Sequence, residues 1–194
     1  MDEHKLKNAK IGIAGLGGLG SNVAVSLARI GVGNLVLVDF DVVEKSNLNR
    51  QYYFLKHVGI HKTEALKEII LNINPSVSLE IKTTKISKNN IIELFKDVDI
   101  LVEALDDPKE KALLINIFLK NFEHKKIVAA SGISGYSSSN SIKTKKVLKN
   151  LYVVGDENIK SNSDNKLFLA PRVAIVANHQ ANMVLRLILG KEEV

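Results

Sequence analysis

Cysteine is absent from the 194 residues. Disulfides, cysteine-ligated zinc and a cysteine nucleophile are therefore excluded together. Arginine is scarce, occurring only at positions 29, 50, 172 and 186, so lysine carries most of the formal net charge of +6. That balance suits an anionic ligand or an acidic protein partner. Aromatic residues make up only 5% of the chain, and no arginine-rich stripe is interleaved with them, which argues against a nucleic-acid surface. No apolar run reaches the length of a membrane span, and the first residues lack the apolar core of a signal peptide. A cytoplasmic protein without membrane attachment is expected. Hydrophobic residues at 45% and charged residues at 25% are ordinary for a globular chain, and one domain over 1–194 is the default for this length.

The apolar pattern alternates between strand and helix. Residues 9–15 read as a first strand, and 20–30 as a helix with Val23, Ala24, Leu27, Ala28 and Ile30 at apolar helical spacing, ended by Gly31 and Gly33. A second strand over 34–39 follows. Residues 62–73 form a helix with Leu66, Ile69, Ile70 and Ile73 aligned, stopped by Asn74-Pro75. Val77, Leu79 and Ile81 alternate as a third strand, and Ser87 caps a short helix through Phe95. Residues 99–105 form a fourth strand, apolar enough to be central. Asp107, Pro108 and Glu110 occupy N-cap, first-turn and capping-box positions of a helix running to Phe122. Residues 126–131 form a fifth strand. This order implies an α/β, Rossmann-like, mostly parallel sheet with helices on both faces. Residues 141–147 and 151–154 read as antiparallel strands added towards the C-terminus. A polar loop spans 155–165, and a final helix spans 171–189, burying Val176, Met183, Val184, Leu187 and Ile188.

Gly15, Gly17 and Gly20 fit G-x-G-x-x-G after a strand and before a helix, with Gly18 as a further small residue. Such a turn lets backbone N–H groups approach a phosphate, and the helix adds its partial positive end. Asp39 closes the second strand, where a carboxylate can accept two ribose hydroxyls. The glycines alone do not separate ATP from NAD. Asn47, Arg50 and Lys62 add donors for a phosphate chain, arginine as a planar fork and lysine as a point charge. Lys62 begins a helix, where a cation is electrostatically disfavoured unless it faces an anion. Asp106 follows the fourth strand, at the sheet edge where ligands of open α/β folds collect, and is placed to reach a Mg²⁺ that bridges phosphates. Asp107 is accounted for as the helix cap.

Together Gly15-Leu-Gly-Gly-Leu-Gly20, Val38-Asp-Phe-Asp41, Ser46-Asn-Leu-Asn-Arg50-Gln51, Lys62 and Glu103-Ala-Leu-Asp106 resemble the ThiF/MoeB/ubiquitin-activating-enzyme superfamily. Ser131-Gly-Ile-Ser-Gly-Tyr136, Ala170-Pro-Arg-Val173 and Gln180-Ala-Asn-Met183 look most like the short ThiF proteins of bacterial thiamine synthesis. The resemblance implies an adenylyltransferase. Such enzymes activate the C-terminal glycine carboxylate of a ubiquitin-like sulfur carrier ending in Gly-Gly, at the expense of Mg·ATP. Gly15, Gly17, Gly18 and Gly20 would frame the phosphates and Asp39 the ribose. Asn47 and Arg50 would contact the triphosphate, Lys62 its developing charge, and Asp106 the Mg²⁺, which makes Arg50, Lys62 and Asp106 the implied catalytic set. Catalysis would rest on positioning and charge, without a protein nucleophile.

Two departures carry consequences. Longer relatives use paired cysteines for zinc and a further cysteine for sulfur or thioester transfer; here no zinc is expected, and any persulfide step falls to a separate sulfur donor protein. Relatives also bring an N-terminal arginine across a homodimer interface, whereas residues 1–14 hold no arginine and offer Lys5 or Lys7 instead. Lys143, Lys145 and Lys146 suggest a basic patch for an acidic carrier, and Tyr136 with serines 137–139 an entry for its tail. His179 reads as structural. Three rivals stand beside this reading. The glycine fingerprint and Asp39 also suit an NAD-dependent oxidoreductase, which does not require Arg50 or Asp106. A non-catalytic subunit of a heterodimeric activating enzyme would not need to retain Arg50, Lys62 and Asp106. A carboxylate on a modified tRNA base is an alternative substrate.

Overall fold

A computed structural model describes residues 2–156 and 167–194. Seven strands form one sheet: β1 (Lys10–Ala14), β2 (Asn34–Asp39), β3 (Ser78–Thr83), β4 (Ile100–Glu103), β5 (Lys126–Ser131), β6 (Ile142–Leu148) and β7 (Leu151–Asp156). Their spatial order is β3-β2-β1-β4-β5-β7-β6. The order reverses between β1 and β4, and in open α/β sheets that switch point is where ligands bind. β1 pairs in parallel with both neighbours, Ile11 standing opposite Leu35 on one side and Ile100 on the other.

The helices are α1 (Glu3–Asn8), α2 (Gly18–Arg29), α3 (Lys62–Ile73), α4 (Ile91–Phe95), α5 (Pro108–Asn121) and α6 (Ala170–Ile188). They cover both faces of the sheet. Ile11, Ile13, Leu35, Leu37 and Val102 pack with residues of α2, α3 and α6, while Val36, Val38 and Leu101 pack with α4 and α5. Alternation along each strand therefore feeds two cores, which is why these strands read as nearly continuous apolar runs. Val23, Ala24, Leu27 and Ala28 of α2 are buried, as are Leu66, Ile69 and Ile70 of α3 and Val176, Met183, Val184 and Leu187 of α6.

The two added strands differ in direction. β5 ends at the carboxyl edge of the sheet, and the chain remains there through residue 141. β6 then descends, Lys149 and Asn150 turn, and β7 rises between β5 and β6. β7 is consequently parallel to β5, and β6 alone is antiparallel. Gly155 and Asp156, expected in the polar loop, complete β7; the rest of that expected loop, 157–165, lies outside the described residues. α1 has no counterpart among the expected elements. Its Leu6 is buried, and the Gly33 amide donates to the Leu6 carbonyl at 2.9 Å, before β2 begins. Lys5 and Lys7 thus sit at the amino edge of their own sheet, opposite the glycine turn. Among the described residues, no helix is long and apolar enough to cross a membrane.

Candidate functional site

The carboxyl ends of β1, β2 and β4 deliver the glycine turn, Asp39 and Asp106 to one edge. Gly15 has a φ of +88°, and its amide donates to the Val38 carbonyl at 2.9 Å. A Cβ at Gly15 would lie 2.7 Å from the Ala104 carbonyl, so the turn from β1 rests on the exit of β4. A Cβ at Gly20 would stand 1.9 Å from the Gly15 carbonyl; this glycine lets α2 close onto the strand end. Gly17 is different in kind. A Cβ there would meet only the Gln51 amide nitrogen, at 3.8 Å, so the space beside it is open. Gly17 is also the N-cap of α2, and that helix has no acidic residue in its first turn. The helix end is a positive pole whose open side faces the site.

Asp39 is buried, and its carboxylate accepts from the Leu16 amide at 2.6 Å and the Asp41 amide at 2.8 Å. Burial raises its carboxyl above the ordinary range, against the Asp41 and Leu16 hydrogen bonds and the nearby Lys62 charge. Asp39 therefore braces the glycine turn from β2, each oxygen retaining acceptor capacity. Tyr53 supports the turn from beneath, its hydroxyl donating to the Leu16 carbonyl at 2.8 Å.

Lys62 opens α3 as expected. It is buried, and the anion it faces is Asp41, at 2.7 Å from Nζ. The Lys62 amide also donates to the Asp41 carbonyl at 2.9 Å. Asp39, Asp41 and Lys62 thus form one connected frame at the end of β2. Asn47 is buried and builds a turn: its side-chain oxygen accepts from the Glu44 amide at 3.0 Å, and its carbonyl accepts from the amides of Arg50 and Gln51. That turn carries Arg50 to the start of α2, where the arginine stem lies 3.6 Å from the Cβ position of Gly18. Asn22 bridges the two elements, donating to the carbonyls of Gly18 at 2.7 Å and Arg50 at 3.2 Å. The guanidinium stands 6.0 Å from the Phe168 ring centre and donates to Asn49 at 2.8 Å.

Asp106 is exposed, and its side chain has no hydrogen-bond partner among the described residues. Asp107, beside it, accepts from the amides of Lys109 and Glu110 as the cap of α5, and those bonds, that of Glu110 foremost, hold its carboxyl below the ordinary range. Asp107 is thus the helix cap that the sequence suggests. Mg²⁺ is commonly held by one or two carboxylates together with substrate phosphates. A free carboxylate at the switch point fits that donor set. No group of three or more histidine, aspartate or glutamate side chains able to hold a metal occurs among the described residues.

Sequence reasoning missed several supports: Asp41 as the partner of Lys62, Tyr53 and Asn22 around the turn, and Arg172. Arg172 is buried at the start of α6, paired with Asp156 and donating to the carbonyls of Ser134, Ser137 and Ser138. It holds residues 134–141 against the carboxyl edge. Tyr136 on that segment is 85% exposed. His179 Nδ1 is hydrogen-bonded to the Thr144 hydroxyl at 3.2 Å. Lys146 is committed to Glu192 at 2.9 Å, whereas Lys143 is exposed.

The ThiF family matches residues 2–194. The chain belongs to the ThiF family. The adenylyltransferase and sulfurtransferase UBA4 of Kluyveromyces lactis is 34% identical over 134 residues, covering 69% of this chain and 30% of that protein. The SAMP-activating enzyme E1 of Haloferax volcanii is 37% identical over 114 residues, covering 58% of this chain and 42% of its own. The chain therefore spans under half the length of these curated relatives. Among solved structures, E. coli tRNA N6-threonylcarbamoyladenosine dehydratase in complex with ATP superposes with a TM-score of 0.88 at 21% identity, covering 97% of this chain and 88% of that one. At that identity the likeness establishes the shared Rossmann-like fold.

Proposed function

We propose that this ThiF-family chain binds ATP at the carboxyl edge of β1, β2 and β4 and adenylates the C-terminal glycine carboxylate of a ubiquitin-like sulfur carrier ending in Gly-Gly. One observation carries the reading. Around a single glycine turn, among the described residues, stand an arginine whose stem lies beside Gly18 at the helix N-terminus, a lysine held by a neighbouring carboxylate, and an exposed aspartate without a partner. A dinucleotide site requires the turn and Asp39 only. The excess of charge suits a triphosphate that must lose pyrophosphate. Support for a ubiquitin-like carrier comes from the named relatives, which are adenylyltransferases and a SAMP-activating enzyme.

In the reaction a carrier carboxylate oxygen attacks the α-phosphorus, the bond to the β-phosphate bridging oxygen breaks, and acyl-adenylate and pyrophosphate form. The open side of Gly17 admits the phosphates to the α2 amides, and Asp39 accepts from the ribose hydroxyls. Arg50, presented by the Asn47 turn, and Lys62 neutralise charge as it gathers on pyrophosphate. Asp106 would hold Mg²⁺, which when bound would neutralise phosphate charge as a Lewis acid. No side chain need act as nucleophile. Lys143 offers a cation for an acidic carrier surface, and Tyr136 with Ser137 lies where the carrier tail enters. A homodimer, a separate sulfur donor protein, a cytoplasmic setting and a place in thiamine thiazole synthesis complete the reading.

ATP–pyrophosphate exchange with Mg²⁺, with and without a Gly-Gly-ending carrier, tests it. Carrier-dependent exchange that disappears in Asp106→Ala is expected. Thermal protection by NAD with none from Mg·ATP would overturn the assignment.

A further inference from the structure

We propose that Glu103 and Lys111 are the positioning pair that orients Asp106 toward its metal, an inference that rests on the metal-binding reading of Asp106 given above. Side chains alternate along β4: Ile100 and Val102 enter the core under α2 and α6, and Leu101 the core under α5. Glu103 continues that alternation and points toward α5, where it is fully buried. Its Oε1 accepts from the Leu105 amide at 2.8 Å and from Lys111 Nζ at 2.8 Å. Lys111 Nζ donates in addition to the Leu105 carbonyl at 2.8 Å. Both backbone polar groups of Leu105 are thereby fixed.

The Leu105 carbonyl belongs to the peptide plane that leads into Asp106, so Lys111 sets the direction in which Asp106 leaves the strand. On the far side Asp107 is tied down as the α5 cap and Pro108 has a ring-locked φ. Asp106 is the residue between two clamped neighbours, and among the described residues its own carboxylate has no partner, which leaves it available to a ligand. A fully buried carboxylate paired with an ammonium that is 20% exposed is an expensive way to fill a core, since apolar residues of similar volume pack as well or better. Its place directly behind the exposed aspartate suits a second layer of support for a metal ligand, where such partners tune affinity strongly. Burial pushes the Glu103 carboxyl above its ordinary range, and Lys111 is the chief opposing influence. Removing Lys111 therefore releases Leu105 and favours a protonated Glu103 at once.

The test uses Mn²⁺ as the metal probe, titrated into the 194-residue chain with saturating ATP and followed by electron paramagnetic resonance. ATP affinity in EDTA is measured alongside. Lys111→Met is expected to weaken Mn²⁺ binding roughly tenfold with metal-free ATP affinity unchanged, and Lys111→Arg to restore most of it. Added to Asp106→Ala, Lys111→Met should bring no further loss. Should Lys111→Met fail to fold, Glu103→Gln must weaken Mn²⁺ binding and speed hydrogen exchange at Leu105 and Asp106. Mn²⁺ binding that falls in Asp106→Ala but not in Lys111→Met or Glu103→Gln overturns the positioning pair and leaves the Asp106 reading intact. Binding unchanged in Asp106→Ala overturns both.

Discussion

Replacing Arg172 by methionine should loosen the carboxyl edge at one identifiable point. The guanidinium donates to the carbonyls of Ser134 at 3.2 Å, Ser137 at 2.8 Å and Ser138 at 3.2 Å, and it pairs with Asp156. Side-chain exposure is 4% for Arg172 and 1% for Asp156, so solvent screens the pair little. Methionine keeps the apolar stem and removes every polar contact. Breaking a buried pair from one side costs about 3–5 kcal/mol. The low end applies here, because Ser141 still donates to Asp156 at 2.6 Å and the freed serine carbonyls can reach water. About 3 kcal/mol corresponds to a fall in Tm of roughly 6–12 °C for a chain of this size. Urea unfolding supplies the equilibrium value. In a double-mutant cycle with Asp156→Leu, the double variant should cost clearly less than the two single variants added together. A loss below about 1 kcal/mol for Arg172→Met, or simple additivity, would show that this pair does not hold residues 134–141 to α6.

Gly20→Ala places a Cβ 1.9 Å from the Gly15 carbonyl, and overpacking against backbone should outweigh the gain of about 1 kcal/mol in helix propensity, giving net destabilisation of about 2 kcal/mol by urea titration. Gly17→Ala meets open space, so stability should change by about 1 kcal/mol or less while calorimetric ATP affinity falls at least tenfold; equal effects of the two variants on stability would remove the distinction between packing and phosphate-facing glycines. Lys62→Met should abolish pyrophosphate exchange more completely than it weakens ATP binding, and Asp41→Asn should lower exchange partially, because Asp41 orients the ammonium without taking its place; an active Lys62→Met variant would exclude Lys62 from the chemistry. The Glu192 carboxyl is held at about 2, below its ordinary 4.5, first by its hydrogen bond from Lys126 and then by that from Lys146. A folded-state value below the unfolded one stabilises fully above pH 4.5 and is lost as pH falls toward 2. Exchange protection factors near the C-terminus, taken relative to intrinsic rates at each pH, should fall over that window in the parent chain and lose that dependence in Glu192→Gln.

Local signals in the sequence carry the frame of this molecule. The glycine turn follows from three residues within six positions, and the cap of α5 from Asp107 and Pro108 in adjacent places. Core faces of α2 and α3 follow from helical spacing because each packs one face on the sheet. What the spacing could not reveal is tertiary. Lys62 can be seen to need an anion, yet nothing local identifies Asp41, 21 residues away, as the one it meets. α1 is too short to declare itself, and it is fixed by burial of Leu6 and by the Gly33 amide. The direction of β7 depends on which side of β6 the hairpin folds, a choice made by pairing with β5. Arg172 and Asp156 are separated by 16 positions, and their contact exists only once β7 and α6 share an edge.

The same distinction divides the candidate site. Asp39, Asn47 and Lys62 each satisfy a structural bond before any ligand arrives, to the Leu16 amide, the Glu44 amide and the Asp41 carboxylate. Gly17 and Asp106 keep an open side. Lys62 spends one of its three ammonium donors on Asp41, which leaves two for an anion while fixing where the charge sits. On the proposed reading, a leaving pyrophosphate meets an ammonium that is already oriented and already largely desolvated. Asp41 lowers the net charge of the pair and so weakens ground-state attraction for ATP, but it removes the reorganisation that a free lysine would undergo as charge develops. A fixed, buried cation of that kind favours the transition state over the bound substrate, and this is the condition under which a charge accelerates the reaction instead of only tightening binding.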